Sequence, residues 1–416
     1  MRRWTIAAAV VGGVLVAAAI PRFHHALTTT VPWDLLVDQH LARALWSGFN
    51  PYTEEGVRRA SLEAMGPAGG GHPPTTALWA LPFIGLGLRA AAVALGVVTL
   101  LALLGAITVT MTALGAPGPL ALAWVVFGYV VFCPFMTYHL AVGQLSGMIA
   151  ALFIVAWWAA RQGRDLLAGI ALGAACTIKL FPGLVVLIFL VLRRWRLAAA
   201  ALGVHLAATL AVTARFGWSA WPLFLARQRA VAEEWLGSIQ NQSLHGVVLR
   251  FFRPACGPPG GPLPLATALS VTLALALIAG AVLIARRAGS HRFDLVYAFF
   301  VVLSILASQW AWEHYDVILV LPAILAAAAL VRARSSRRLV LGGAAVLLAL
   351  AGSWQFGATE RVALQAAVRR GTAAPGTHVL MHVYEVVNWA PTLALLLLLA
   401  VLLRPPEPRS AAQPAY

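Results

Sequence analysis

"TTALWALPFIGLGL" runs from Thr75 to Leu88, apolar throughout and 14 residues long. A helix needs about 20 apolar residues to cross a bilayer, so the stretch is short for a span. Its reading decides the topology. Arginine-rich connections mark the cytoplasmic side of membrane proteins. Four stand here: "RQGRD" (161–165), "RRWR" (193–196), "RRAGSHR" (286–292) and "RARSSRR" (332–338). If 75–88 does not cross, all four fall on the side of Arg2 and Arg3. If it crosses, all four fall outside. We therefore expect an interfacial or re-entrant helix at 75–88.

Working outward, the composition sets the class. Of 416 residues, 61% are hydrophobic and 11% charged, where a soluble domain carries about 25% charged residues. The expectation is an all-α polytopic transmembrane bundle of about twelve helices, one domain over 1–404. The candidate spans are 4–20, 90–112, 118–135, 145–160, 166–179, 181–193, 197–214, 264–285, 295–309, 316–331, 339–355 and 388–403. "MRR" before "WTIAAAVVGGVLVAAAI" has the form of a signal peptide or of a first membrane helix. No small-x-small cleavage site follows, and we expect the helix to be retained. The tail 405–416 reads as disordered and cytoplasmic. A net charge of +16 is here an arginine excess of cytoplasmic loops, not a sign of nucleic-acid binding. Cys133, Cys176 and Cys256 lack metal-ligand spacing, and the first two lie in apolar runs as packing residues.

This orientation sorts the polar residues. The outer side receives 21–89, 136–144, 215–263, the turn near 310–316, and 356–387. These hold eleven of fourteen acids and nine of eleven histidines. "AACTIKLFPGLV" (174–185) contains Lys179, the only lysine in the chain. It ends a short helix, 166–179, about 21 Å long. Pro182 breaks the chain before 181–193 returns to the basic side. An ammonium in an apolar run costs several kcal/mol unless something holds it. It either snorkels to the headgroups or holds an anion at the outer edge of the bilayer.

The first outer loop is the other informative stretch. In "VPWDLLVDQHLARALWSGFNPYTEEG" (31–56), Asp34 and Asp38 are one helical turn apart and share a face. Leu35, Leu41, Leu45 and Trp46 suggest an amphipathic helix lying at the interface, ended by "SGFNPY". "GGGHPP" (69–74), with His72, then leads into 75–88. Taken alone, Asp34 is as well explained as a helix cap. The aromatic residues Trp33, Tyr52, Trp218, Trp221 and Trp235 suit an interfacial belt or sugar stacking.

An acid just past the first membrane helix, a Gly-x-Asn-Pro-Tyr turn and a Pro-Pro pair opening an apolar stretch resemble the GT-C superfamily of membrane glycosyltransferases. More narrowly, they resemble glycosyltransferase family eighty-seven, bacterial polyprenyl-phosphate-mannose-dependent mannosyltransferases. "VGQLSG" (142–147), "AGIALGAACTIKLFPG" (168–183), "RRWR" (193–196), "NQSLHGVVLR" (241–250) and "SQWAWEHYDV" (308–317) agree in order and spacing. The resemblance implies a GT-C bundle in the bacterial plasma membrane. It also implies an inverting transfer at the outer face, from a polyprenyl-phosphate sugar donor to a glycolipid or polysaccharide acceptor. Asp34 takes the place of the catalytic acid, and the family's tryptophan-x-histidine pattern falls on Trp312 and His314. The family often has tyrosine at Asp38 and proline at Gln309, so both are departures.

On this reading Asp34 is the first candidate for general base and His314 the second. Lys179, with Arg250 as a second donor, stabilises the leaving phosphate. Gln144, Asn241 and Gln242 are amides suited to sugar hydroxyls, or equally to loop capping. Asp38, Tyr52, His72 and Trp312 complete the substrate-binding set. No cofactor is expected. His24-His25 and His378-x3-His382 are the close histidine pairs, and neither has the third ligand a metal needs. No glycine-rich nucleotide fingerprint is present, which favours a lipid-linked donor. An arabinofuranosyltransferase with a polyprenyl-phosphate-arabinose donor stays open. So does a lipid-linked sugar transporter or flippase with a site on broken helices.

Overall fold

A computed structural model describes residues 2–59, 71–252 apart from 239, 263–288, 292–333 and 392–403, with single residues 367, 370, 372 and 389. All regular elements among the described residues are helical. α1 (Arg2–Thr29) is continuous through Pro21, longer than the expected 4–20. His24 and His25 therefore sit on this helix and not in a loop. A proline removes one backbone hydrogen bond, which a membrane helix tolerates when neighbours pin it. The adjacent Arg22 does this, donating to the Phe132 carbonyl at 2.6 Å and lying 4.4 Å over the Phe132 ring.

α2 (Trp33–Ser47) and α3 (Glu54–Arg59) follow. The deciding stretch forms no long helix. 3₁₀ turns Pro74–Thr76 and Leu81–Phe83 flank a four-residue α4 (Ala77–Ala80), about 6 Å long. α5 (Leu88–Ala113) is full length. α6 (Pro119–Phe132) and α7 (Pro134–Val142) meet at a 66° bend. Then come α8 (Ser146–Arg161), α9 (Asp165–Ile178), α10 (Gly183–Val191), α11 (Trp195–Phe216), α12 (Ala220–Trp235) and α13 (Leu244–Phe252). After α14 (Pro264–Ala288) and α15 (Phe293–Leu306), a 3₁₀ stretch Glu313–Leu319 enters α16 (Val320–Ala333), and Thr392–Leu402 forms α17.

Among the described residues, five helices are long and apolar enough to cross a membrane, or six if the bent α6–α7 pair is one span. That falls short of the twelve expected. α8, α9, α15 and α17 are apolar but shorter. α10 has nine residues, about 14 Å, because the turn at 180–182 consumes part of the apolar run. An apolar run measures buried chain, not helix length. The candidate 339–355 lies outside the described residues.

The exposed faces are oily. Val93, Val97 and Leu101 on α5, Leu202, Leu206 and Leu210 on α11, and Leu265, Leu269 and Leu273 on α14 are all exposed. Each set recurs every four residues, an apolar stripe turned outward. Such stripes mark a surface covered by lipid, so this is an integral membrane protein. Between helices, small residues permit close approach. A Cβ on Gly169 or Gly173 would stand 2.5 Å from the Leu197 or Ala201 carbonyl of α11. Cys133 and Cys176 are buried.

Arg194 pairs with Asp165, Arg161 lies 3.4 Å from Asp294, and Arg292 donates to the Leu403 carbonyl at 2.7 Å. The first three basic connections thus gather at one end of the bundle. Gln144, before α8, and Lys179, after α9, lie at the other end.

Candidate active site

The site starts on α2. Leu35, Val37, Leu41 and Leu45 turn inward with Asp38, while Trp46 is exposed. The helix therefore packs on protein along most of the face expected to meet the bilayer. Asp34 occupies its first turn, where the helix dipole favours an acid. The two carboxylates converge on His72. Nδ1 of His72 lies 2.6 Å from Asp38 Oδ1, and Nε2 lies 3.5 Å from Asp34 Oδ1. Side-chain exposure falls from 29% at Asp34 through 16% at His72 to 3% at Asp38. Asp34 is thus the open end of the row and Asp38 its buried anchor. The Tyr52 hydroxyl donates to the His72 carbonyl at 2.9 Å, with its ring edge-on to Phe216 and Phe224. Tyr52 fixes the histidine's loop and does not face the opening.

Charge follows this geometry. Burial pushes Asp34 up, but its hydrogen bond to His72 and the charges of His72, His314 and Lys179 outweigh it, leaving the carboxyl well below the usual range. Burial also raises Asp38, and the Asp34 charge adds to it. For His72, burial is overcome by the two carboxylates, which lift it to about 10. At neutral pH an imidazolium therefore sits between two acids.

Gln144 connects this row to Lys179. Its amide nitrogen donates to Asp34 Oδ2, and its oxygen accepts from Lys179 Nζ at 3.1 Å. Lys179 follows α9 in extended backbone. Its ammonium also donates to the Tyr315 hydroxyl at 2.8 Å and lies 4.4 Å from that ring's centre, where an aromatic face attracts a cation. Phe181 stacks on the far partner, Tyr315, at 5.3 Å. Gln144 and Tyr315 are both neutral, so they hold the charge of Lys179 without cancelling it. His314, in the 3₁₀ stretch, packs 4.9 Å from the Tyr315 ring and 5.8 Å from Tyr138. It is buried, and neither ring nitrogen has a partner.

Two members of this group escaped the sequence reading. Tyr315 stands next to His314, and only its reach to Lys179, 136 residues away, reveals it. His139 is buried on α7 with both nitrogens unpartnered, and its place before "VGQLSG" was the one available signal.

The 241–250 stretch behaves differently. Asn241 donates to the Leu236 and Gln309 carbonyls at 3.0 and 3.2 Å and accepts from the Ser243 and Ala311 amides, each at 3.1 Å. Its amide is fully used as a loop cap, with no capacity left for a sugar hydroxyl. Arg250 donates to the Ser238 and Asn241 carbonyls at 2.6 and 2.9 Å and is buried, a second tie on the same loop. Gln242 is buried with an unpartnered Nε2. Trp312 is half-buried and stacks on Trp310.

No group of three His, Cys, Asp or Glu among the described residues is arranged to hold a metal ion. The His378–His382 pair lies outside them. The arrangement thus sets an ionised, part-exposed carboxylate and a fixed ammonium at two ends of one amide. That suits removing a proton at one end while stabilising an anion at the other.

No curated protein and no solved structure matches the chain. The sequence profile of Glycosyltransferase family 87 matches residues 72–309, more than half of the 416. The match takes in His72, Gln144, Lys179, Asn241, Gln242 and Arg250, with Asp34 and His314 on its two flanks. The chain belongs to glycosyltransferase family 87.

Proposed function

We propose that the protein is an inverting transferase of the outer face of the bacterial plasma membrane. It moves a sugar, mannose in the first instance, from a polyprenyl-phosphate donor to a hydroxyl of an envelope glycolipid or polysaccharide. The framework is one GT-C-type domain over 1–404, with the short helices completing about twelve crossings. The observation that carries the reading is the Gln144 bridge between Asp34 and Lys179.

Asp34 takes the proton of the acceptor hydroxyl as its oxygen attacks the anomeric carbon. The bond from that carbon to the phosphate oxygen breaks, and its electron pair stays on the phosphate. The leaving polyprenyl phosphate gains negative charge, which Lys179 stabilises more in the transition state than before it. An anion bound at Lys179 also offsets the ammonium's field on Asp34 and raises its proton affinity, so donor binding primes the base. His314 assists Asp34 by orienting it or the sugar. Family membership favours transfer over transport.

The test is transfer from labelled polyprenyl-phosphate mannose to an envelope glycolipid extract by the purified protein. Wild type should transfer, and Asp34→Asn should bind donor without transferring. Undiminished transfer in Asp34→Asn removes Asp34 from the chemistry. A wild type active only with the arabinose donor would reassign the sugar.

A further inference from the structure

Ahead of Tyr315 the same segment carries two tryptophans, Trp310 and Trp312, and a third, Trp235, meets Trp312 from α12. The Tyr315 amide donates to the Trp312 carbonyl at 2.8 Å. The rings of Trp310 and Trp312 stack with centres 5.8 Å apart at 11°, and Trp235 of α12 meets Trp312 edge-on at 6.4 Å. All three are half-buried, so each has both a packed and an open side. The loop beneath them is rigid. Asn241 spends two hydrogen bonds on Gln309 and Ala311, Ser243 donates to the Gln309 carbonyl at 3.0 Å, and Ser308 donates to the Trp310 carbonyl. The Gln242 amide nitrogen of the backbone donates to the Ala311 carbonyl at 2.6 Å, between the two stacked residues. The side chain of that glutamine holds the buried, unpartnered Nε2, an unsatisfied donor that native structures rarely leave without a use.

We propose that Trp235, Trp310 and Trp312 form a stacking platform for a pyranose unit of the acceptor, with the Gln242 amide donating to one of its hydroxyls. A pyranose ring has an apolar C–H face that suits an indole and a rim of hydroxyls that suits an amide. A preformed platform binds it without an ordering cost. The assignment to the acceptor rests on the function proposed above. The donor's sugar is joined to its phosphate and stays beside Lys179 and Asp34, which leaves the platform to the other substrate.

Methyl α-D-mannopyranoside is the probe, with cyclohexanol as an apolar ring lacking the hydroxyl rim. Saturation-transfer NMR on the full chain in nanodiscs measures binding without any transfer step. Wild type should bind the mannoside saturably and cyclohexanol not at all. Trp310→Ala should weaken mannoside binding by about tenfold, the scale of one aromatic contact, and Trp310→Phe should recover part of it. Gln242→Met should weaken binding several-fold while the melting temperature holds or rises, because the lost donor had no protein partner. A mannoside affinity unchanged in both Trp310→Phe and Gln242→Met, equal binding of cyclohexanol, or no saturable binding by wild type overturns the platform. Mannoside binding that behaves as expected in a protein that transfers no sugar keeps the platform and sinks the transferase reading.

Discussion

Two polar regions at the same end of the bundle use similar residues in opposite ways. Around Asn241 and Arg250, side chains bond to main-chain groups: the Leu236, Ser238 and Gln309 carbonyls and the Ser243 and Ala311 amides. They stand in for secondary structure where the chain turns. From Asp38 through His72, Asp34, Gln144 and Lys179 to Tyr315, the links run from side chain to side chain. Such bonds make up only about 10–15% of those in a folded protein, and a run of them serves no backbone. The difference separates scaffold from chemistry: one region should fail by unfolding, the other by losing activity in an intact fold.

Substitutions can break that separation, and the largest effect is expected at Asp34. Asp34→Asn should lower transfer by about 10²–10⁴-fold, the usual worth of a general base, with a melting temperature close to wild type. Asn241→Ala should do the reverse. Losing a fully used buried amide costs about 2–4 kcal/mol, so stability and transfer should fall together in thermal denaturation and activity assays. Transfer lost at an unchanged melting temperature would put Asn241 in the chemistry and erase the contrast.

Lys179→Met should weaken donor binding by about 10- to 100-fold, the range for a charge-assisted hydrogen bond, read by titration with polyprenyl phosphate. A smaller effect sharpens the account of the acidic row. His72 titrates near 10 in the fold against 6.5 in the unfolded chain. Its pairing with both carboxylates stabilises the protein fully below about 6.5 and is lost as the pH climbs through about 10. Wild type should lose thermal stability across that window, and His72→Gln should lose less. Least of all, Trp46→Gln on the exposed side of α2 should stay within about 0.5 kcal/mol of wild type.

What was legible in the sequence follows from how local each signal is. The break at Lys179 needs only Pro182 and the apolar run around it, and the 75–88 stretch needs only its 14-residue length. Asp34 and Asp38 sharing a face follows from helical spacing alone. By contrast, the helix through Pro21 depends on Arg22 reaching Phe132, 110 residues away. Nothing local tells a free asparagine from one spent on carbonyls, so the sequence leaves Asn241 between sugar ligand and loop cap and offers Arg250 as a second donor, and both bond to main-chain carbonyls here. Tyr52 pointed to substrate and holds up a loop. Tyr315 and His139 take their meaning from neighbours that only the fold assembles.

The single lysine has a practical consequence. Lys179 is the one side-chain amine in 416 residues, and it is tucked between Gln144 and Tyr315. Acylating reagents aimed at side-chain amines therefore have one address, inside the site itself. The rate at which that address is modified becomes a direct gauge of occupancy. A bound lipid phosphate that covers the ammonium slows the labelling, and a lysine-specific protease or mass shift reads the result without any sugar being transferred.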